Sequence, residues 1–506
     1  MKKTTWLLLA FIALKFILQY ILINPAYDLQ RDEYLHLDQG SHLAWGYISV
    51  PPVTSWISFI IKILGGGVFW VKFFPLVFGC LTLVLLWRIV EVLNGGIFAF
   101  LLTGTAFLLS PILRLNILYQ PNSLDVFAYT WVYYSLILFV NTRNNKWLYF
   151  TATAAAFGFL SKYNIVFLLA SLVPAILITK QRVVFTNKHL YFAAVLGLLL
   201  IAPNLVWQYQ NGFPTLHQLK ELQETQLVNV NRIGFLKDQV LYFISSLFII
   251  IAALIAFVIY HPIKKYRFIF FSFFFSILLF VFLKAKSYYA MGLYPVLMAF
   301  GSVYLECICV SGWRRYLRPV SIIMVILLAA PFIWIGFPIQ TPEQLAGNRS
   351  LHQKLGLLRW EDGKEHNLPQ DFADMLGWKE LAAKTDAAWS KIQDKEHTIV
   401  LCDNYGQAGA INYYAKIKNI NAVSFNADYI NWIKLDKPIR NIVRVYDAGQ
   451  SEEDLPKLKT IFQVVKKVDS IQNKDAREFG TTIWILQNAN VNINKLIAED
   501  IKAKKY

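Results

Sequence analysis

Apolar runs of roughly 15–25 residues recur from the N-terminus to about residue 338, and each is long enough to cross a bilayer as a helix. They predict spans at 5–24, 69–90, 96–115, 124–140, 147–161, 164–179, 189–206, 236–260, 267–284, 287–310 and 319–338, about eleven in all. The run 53–64, VTSWISFIIKIL, is too short to cross and ends in Gly65-Gly66-Gly67. It reads as a helix lying along the membrane surface. Beyond Thr341 charge is dense, and short β-rich runs (HTIVLC, NAVSFN, IRNIVRVY, TTIWIL) alternate with helical stretches such as MLGWKELAAKTDAAWSKI. The expected architecture is therefore a polytopic α-helical membrane unit over 1–338, followed by a small α/β domain over 339–506. The opening MKKTTWLLLAFIALKFILQYILINPA has a basic start but a long apolar stretch and no A-x-A-like cleavage site, so it reads as a retained transmembrane helix.

Composition agrees with this pattern, since 56% of the 506 residues are hydrophobic. The net charge of +17 is unevenly placed: 25 Lys and Arg face 10 Asp and Glu up to Phe337, and 24 face 22 after it. The basic residues fill short loops (NTRNNK, KQRVVFTNK, HPIKKYR, GWRRYLR), which is how topology is encoded, and nucleic acid is not an expected partner. With Lys2 and Lys3 inside, all four clusters fall on the cytoplasmic side of an eleven-span chain in the plasma membrane. Residues 25–68, 115–124, 207–235 and the C-terminal domain then lie on the periplasmic or extracellular face. Cys80, Cys307 and Cys309 lie in apolar runs and Cys402 is alone, so neither a disulfide framework nor a zinc spacing is present.

Candidate chemistry gathers in the external segments. DLQRDEYLHLDQG, residues 28–40, holds four carboxylates, one arginine and one histidine directly after an apolar run. Were the whole stretch helical, Asp28, Asp32, His36 and Gln39 would share a face, with Arg31 beside both acids and Glu33 pointing elsewhere. Asp28, Asp32 and His36 also form a candidate set for one divalent cation, although no cofactor is required. Glu33-x-x-His36 has no second E-x-x-H in a membrane helix, which argues against a di-iron site. Asp125 stands where a span begins and reads either as a helix cap, after Asn122 and Ser123, or as a site residue. KAKSYY brings Lys284, Lys286, Tyr288 and Tyr289 to the outer surface, where Lys162 and Arg114 lie at similar depth. These cations either snorkel to headgroups or bind a lipid-linked phosphate. No phosphate-binding Gly-rich loop occurs.

RDEYLHLDQGSHLAWGYISVPPVTSWI, with an Asp-Glu pair followed by HLAWGY-x-x-x-PP and the interfacial run, resembles the family 39 glycosyltransferases, which include the protein O-mannosyltransferases and the lipid A aminoarabinose transferase. VKFFPLVFG, SPILRLNILYQPNSLD, FGFLSKYN, KAKSYYAMGLYPVLMAFG and DNYGQAGAINYYAK add matches in the same order. The resemblance implies the GT-C membrane fold and transfer, with inversion, of a hexosyl- or pentosyl-type sugar from a polyprenyl-phosphate donor to a hydroxyl of a lipid, glycan or protein. It makes Asp32 the catalytic carboxylate, Glu33 its pair and Asp125 the second external acid. Lys286 with Tyr288 or Tyr289 would approach the donor phosphate, with Lys162 and Arg114 as further cations and Arg31, His36 and His42 supporting the loop or the acceptor. Two departures stand out: Val50 precedes Pro-Pro where relatives carry a lysine, and Lys72 stands where many carry an arginine. A transporter or flippase is the rival class; it calls for two related halves and mid-membrane ionisable groups.

Overall fold

The computed structural model describes residues 3–417 and 420–505. Among these, seven helices are long and apolar enough to cross a membrane, or nine if each of two bent pairs is one span. All eleven predicted runs are helical, but not all are single rods. The run 96–115 divides into Ile97–Leu108 and Ile112–Asn116, because Pro111 lacks the amide proton that would carry the first helix on. The run 147–161 is a helix of 16 residues, Lys146–Ser161. Ile165–Leu177 bends by 107° into Lys180–Thr186, and Arg232–Tyr242 by 101° into Leu247–Ile259.

Burial sorts the helices. Asn122–Thr142 is enclosed by its neighbours, whereas Lys188–Gln210 and Gly312–Gly336 leave nearly all their apolar side chains outward, as lipid-facing helices do. The helix Val53–Ile63 is turned polar-side in. Thr54, Ser55 and Ser58 are buried, while Phe59, Ile60 and Ile63 are exposed. Ser58 Oγ donates to the His36 carbonyl at 2.6 Å and lies 2.8 Å from the Tyr119 hydroxyl. That arrangement suits a helix whose outer surface is hydrocarbon.

The C-terminal part is a five-stranded mixed sheet of β1 (Thr398–Cys402), β2 (Ala422–Ser424), β3 (Asn441–Tyr446), β4 (Phe462–Ser470) and β5 (Thr482–Ala489), in the order β2-β1-β3-β5-β4. β1 is parallel to β2 and β3, while β5 runs antiparallel to β3 and β4. Four of the strands coincide with the four β-rich runs. The fifth, β4, is an edge strand whose Lys466 and Lys467 interrupt the apolar pattern; charge on an edge discourages pairing with other chains.

The two parts share one apolar cluster. Tyr34, Leu35, Val53, Ile57 and Ile61 from the membrane side pack with Trp378, Ile411, Tyr429, Val443 and Ile483 from the sheet side. The helix Tyr405–Tyr414 closes directly on the helix Arg31–Gln39, and glycines permit it. A methyl on Gly409 would lie 2.6 Å from both Tyr34 Cβ and the Tyr429 hydroxyl.

Candidate active site

The acidic stretch separates into three structural carboxylates and one available one. Its helix begins at Arg31 because Gln30 and Glu33 form a capping box: the Gln30 side chain accepts from the Glu33 backbone amide, while Glu33 Oε2 accepts from the Gln30 amide at 2.7 Å. Asp28 therefore precedes the helix and does not share its face. It accepts from the amides of Trp378 and Lys379 at 3.1 and 3.3 Å and pairs with the Lys379 ammonium at 2.9 Å. Glu33 is fully buried and receives the Lys72 ammonium at 2.6 and 2.8 Å and the Tyr119 amide at 2.6 Å. Asp38 accepts from Asn412 at 2.7 Å and from the Tyr429 hydroxyl at 2.6 Å.

Asp32, like Asp38, stays partly exposed with no cation bonded to it among the described residues, and it differs from Asp38 in what its donors lead to. Its Oδ1 accepts from the Tyr405 hydroxyl at 2.6 Å and its Oδ2 from Gln120 Nε2 at 3.2 Å. The metal set Asp28, Asp32 and His36 is thus not assembled, since Asp28 is committed to the start of the helix Trp378–Ser390 and His36 Nδ1 meets Gln39 Oε1 at 3.3 Å. Among the described residues no group of three or more His, Cys, Asp or Glu is placed to hold a metal ion.

An amide relay leads from Asp32 to a cation. Gln120 Oε1 accepts from Asn122 Nδ2 at 2.8 Å, and Asn122 Oδ1 accepts from the Lys162 ammonium at 2.7 Å. Lys162 also lies 5.0 and 4.4 Å from the ring centroids of Tyr288 and Tyr289. Burial, helped by the neighbouring Lys286 and opposed by Asp125, lowers its pKa to about 8. Lys286 is pulled the other way: burial disfavours its charge, but Glu361 at 2.5 Å, with Tyr289 and Asp32 nearby, holds its pKa above the ordinary lysine value. Asp125 caps nothing. Its Oδ2 accepts from Asn164 Nδ2 at 2.7 Å, and Asn164 also donates to the Tyr289 carbonyl at 3.0 Å. Asp125 Oδ1 and Asn164 Oδ1 are buried without a donor among the described residues.

The structure thus brings Asp32, Lys162, Lys286, Tyr288, Tyr289 and, through Asn164, Asp125 into one neighbourhood. Arg114 and His42 go elsewhere, while His36 and Arg31 stay on the Asp32 helix and face it without a bond to its carboxylate. Arg114 packs its guanidinium 5.6 Å from the Phe372 ring and 3.9 Å from Met375 Sδ. His42 stacks on Trp432 at 4.1 Å, and His36 is buried beneath the loop. Arg31 lies over the Tyr405 ring at 4.2 Å, between the two parts. Gln120, Asn122, Asn164 and Tyr405 are the site residues that sequence reasoning missed. The amides carry no charge to mark them, although QPN precedes Asp125 and KYN begins with Lys162 in short turns; Tyr405 is distant in sequence.

Residues 49–207 match the family model of dolichyl-phosphate-mannose-protein mannosyltransferases. That segment contains Lys72, Asp125 and Lys162 and begins after Asp32. Two crystal structures of ArnT from Cupriavidus metallidurans, one apo and one bound to undecaprenyl phosphate, are similar over 97% of this chain and 99% of theirs, at 13% identity and TM-scores of 0.65 and 0.62. No curated protein matches the chain. The likeness to ArnT is one of fold: a multi-pass helical unit carrying a small α/β domain.

Proposed function

We propose that the chain is a GT-C glycosyltransferase, a reading supported by the family match over residues 49–207 and by the likeness of fold, and that it moves a hexosyl or pentosyl unit from a polyprenyl-phosphate donor to an acceptor hydroxyl at the outer face of the membrane. The observation that carries this reading is the pairing, across one short relay, of a half-exposed carboxylate with a lysine flanked by two tyrosines. The matching family is described by a dolichyl-phosphate sugar and the ArnT structure holds undecaprenyl phosphate, so both supply a lipid phosphate as the group the cations would meet.

The chemistry follows from the groups present. An acceptor hydroxyl is a poor nucleophile until a base takes its proton, and Asp32 has lone pairs left for that task. As the acceptor oxygen bonds to the anomeric carbon from one side, the sugar–phosphate bond breaks on the other, and one displacement inverts the centre. The negative charge of Asp32 also favours the oxocarbenium-like character of that carbon. The ammonium groups of Lys162 and Lys286 and the hydroxyls of Tyr288 and Tyr289 are suited to the charge left on the lipid phosphate. Asp125 and Asn164, with unfilled acceptor atoms, would receive hydroxyl protons of the sugar or acceptor. Glu33 we assign to holding the loop, since its oxygens are already occupied. Substrate acceptors are a lipid, a glycan or a protein. The transporter reading gains nothing from the family match or from the fold.

The test is transfer by the purified protein in liposomes containing mannosyl or aminoarabinosyl undecaprenyl phosphate, with cell-envelope extract as acceptor and mass spectrometry as readout. Asp32→Asn is expected to fold normally and to lose about a hundredfold or more of the rate. A fully active Asp32→Asn protein would remove the base from this account.

A further inference from the structure

Asp32 is held by a residue from the other end of the chain. Tyr405 is the first residue of the helix Tyr405–Tyr414, which Asn404 caps by accepting from the Gln407 amide at 3.1 Å. Its ring lies against the Arg31 guanidinium, and the following Gly406 leaves room for the Arg31 stem; a methyl there would come within 2.7 Å of Arg31 Cγ. These contacts aim the phenol at Asp32 Oδ1. At 2.6 Å the contact falls in the short, charge-assisted class of O–H···O⁻ bonds, whereas Gln120 approaches Oδ2 at 3.2 Å. The two carboxylate oxygens are therefore unequal.

We propose that Tyr405 is a positioning residue for the transfer reaction, its hydroxyl fixing Oδ1 so that Oδ2 is the oxygen offered to the acceptor, and that the C-terminal domain is thereby part of the active site. This rests on the reading of Asp32 as base. In the step itself the acceptor O–H proton passes to Oδ2, the acceptor oxygen forms its bond to the anomeric carbon, and the electron pair of the breaking C–O bond leaves on the lipid phosphate. Tyr405 keeps its own proton throughout, and burial, which raises the phenol's pKa, keeps it a donor. Without it only the longer Gln120 bond resists rotation of the carboxylate about its Cβ–Cγ bond, and orientation is a large share of what a positioned base contributes. The charged and titratable groups that face Asp32 are Arg31 and His36 on its own helix, Lys286 and Tyr288 from the segment preceding Tyr294, and Asp374 and Tyr405 from the C-terminal part. Among the described residues, Tyr405 and Gln120 are the donors to its side chain.

The experiment uses the full chain in lipid nanodiscs and reads two things. Carbodiimide labelling of Asp32, followed by mass spectrometry across pH, reports its protonation without any substrate. Transfer from mannosyl undecaprenyl phosphate reports the reaction. Tyr405→Phe is expected to move the labelling half-point up by about one pH unit, since a donor to the charged form is lost. It should lower kcat about tenfold with donor KM within about twofold. As a check that does not depend on the variant's stability, 3-fluorotyrosine at position 405, a stronger donor of nearly the same shape, should move the half-point down. A Tyr405→Phe protein whose labelling curve and kcat overlay the wild type overturns the proposal, as does a loss of melting temperature with the labelling curve unmoved. If the labelling shifts while Asp32→Asn transfers at full rate, the base assignment fails and the Tyr405 role fails with it.

Discussion

Lys72 Nζ lies 2.6 Å from Glu33 Oε1 and 2.8 Å from Oε2, with side-chain exposures of 4% and 0%. This pair joins the second long apolar helix to the loop that bears Asp32, so the two neighbouring acids in Arg31-Asp32-Glu33 have opposite duties. One stays partly exposed, and the other anchors the loop.

Removing one partner of such a pair leaves an uncompensated buried charge and costs about 3–5 kcal/mol. Glu33→Gln and Lys72→Met are each expected to lower the melting temperature and the folded yield, and the double variant to recover part of the loss. Thermal unfolding of the purified proteins decides the matter. Should Glu33→Gln melt with the wild type and lose only transfer, Glu33 belongs to the chemistry.

If Lys162 meets the donor phosphate as proposed, donor binding is expected to depend on pH. With its pKa lowered to about 8, it sheds its charge as pH rises through that value, so an anionic donor is held less well on the alkaline side. Donor KM should rise above about pH 8 while kcat changes less, and Lys162→Arg, always charged, should flatten the curve. Lys162→Gln is expected to raise donor KM about tenfold below pH 8, with the gap to the wild type closing above it. Steady-state kinetics with mannosyl undecaprenyl phosphate measure both. A KM independent of pH in the wild type would separate Lys162 from the phosphate.

The seam between the two parts carries its own pH signature. Asp374 and Asp428 are each pushed up to about 6 by burial, against Arg477 and Arg31 in the first case and the Ile48 amide and Gln39 in the second. Between roughly pH 4 and 6 the folded protein keeps protons that the unfolded chain has released. Their contribution to stability is therefore largest at the acid end of that window and is lost as pH rises through 6. The melting temperature should be higher near pH 5 than near pH 7 by a few degrees. Asp428→Asn should remove part of that difference, and a wild-type profile that rises from about pH 5 to about pH 7 would contradict the argument.

Close approach at the seam is equally testable. Gly409→Ala places a methyl where Tyr34 and the Tyr429 hydroxyl already stand, and overpacking of this kind costs about 1–3 kcal/mol. The variant should release the C-terminal domain to limited proteolysis. Gly347→Ala, with nothing within 4 Å, serves as the neutral control.

The helical membrane unit and the α/β unit were legible because hydrophobic period and run length are local properties of the chain. The eleven apolar runs are all helical, yet 96–115 divides at Pro111, and 164–179 and 236–260 belong to pairs that bend beyond 100°. A run's length says that it is apolar, not that it is straight. β4 escaped notice because an edge strand exposed on both faces has no apolar alternation to display.

Toward the proposed site, isolated charge beside apolar runs marked the acidic loop, Asp125, Lys162 and Lys286, the hydroxyls of Tyr288 and Tyr289 stood out beside Lys286, and the family resemblance singled out Asp32. The sequence by itself could not divide the labour among Asp28, Asp32, Glu33 and Asp38, which differ only in what they meet. Lys72, Trp378, Asn412 and Tyr429 engage three of them and lie from 39 to 391 residues away in sequence, while Asp32 meets Gln120 and Tyr405. Tyr405, 373 residues from Asp32, reaches it only when the sheet domain docks on the loop. Charge and hydrophobicity belong to residues, but which carboxylate stays reactive depends on long-range contacts, and only the tertiary structure supplies those.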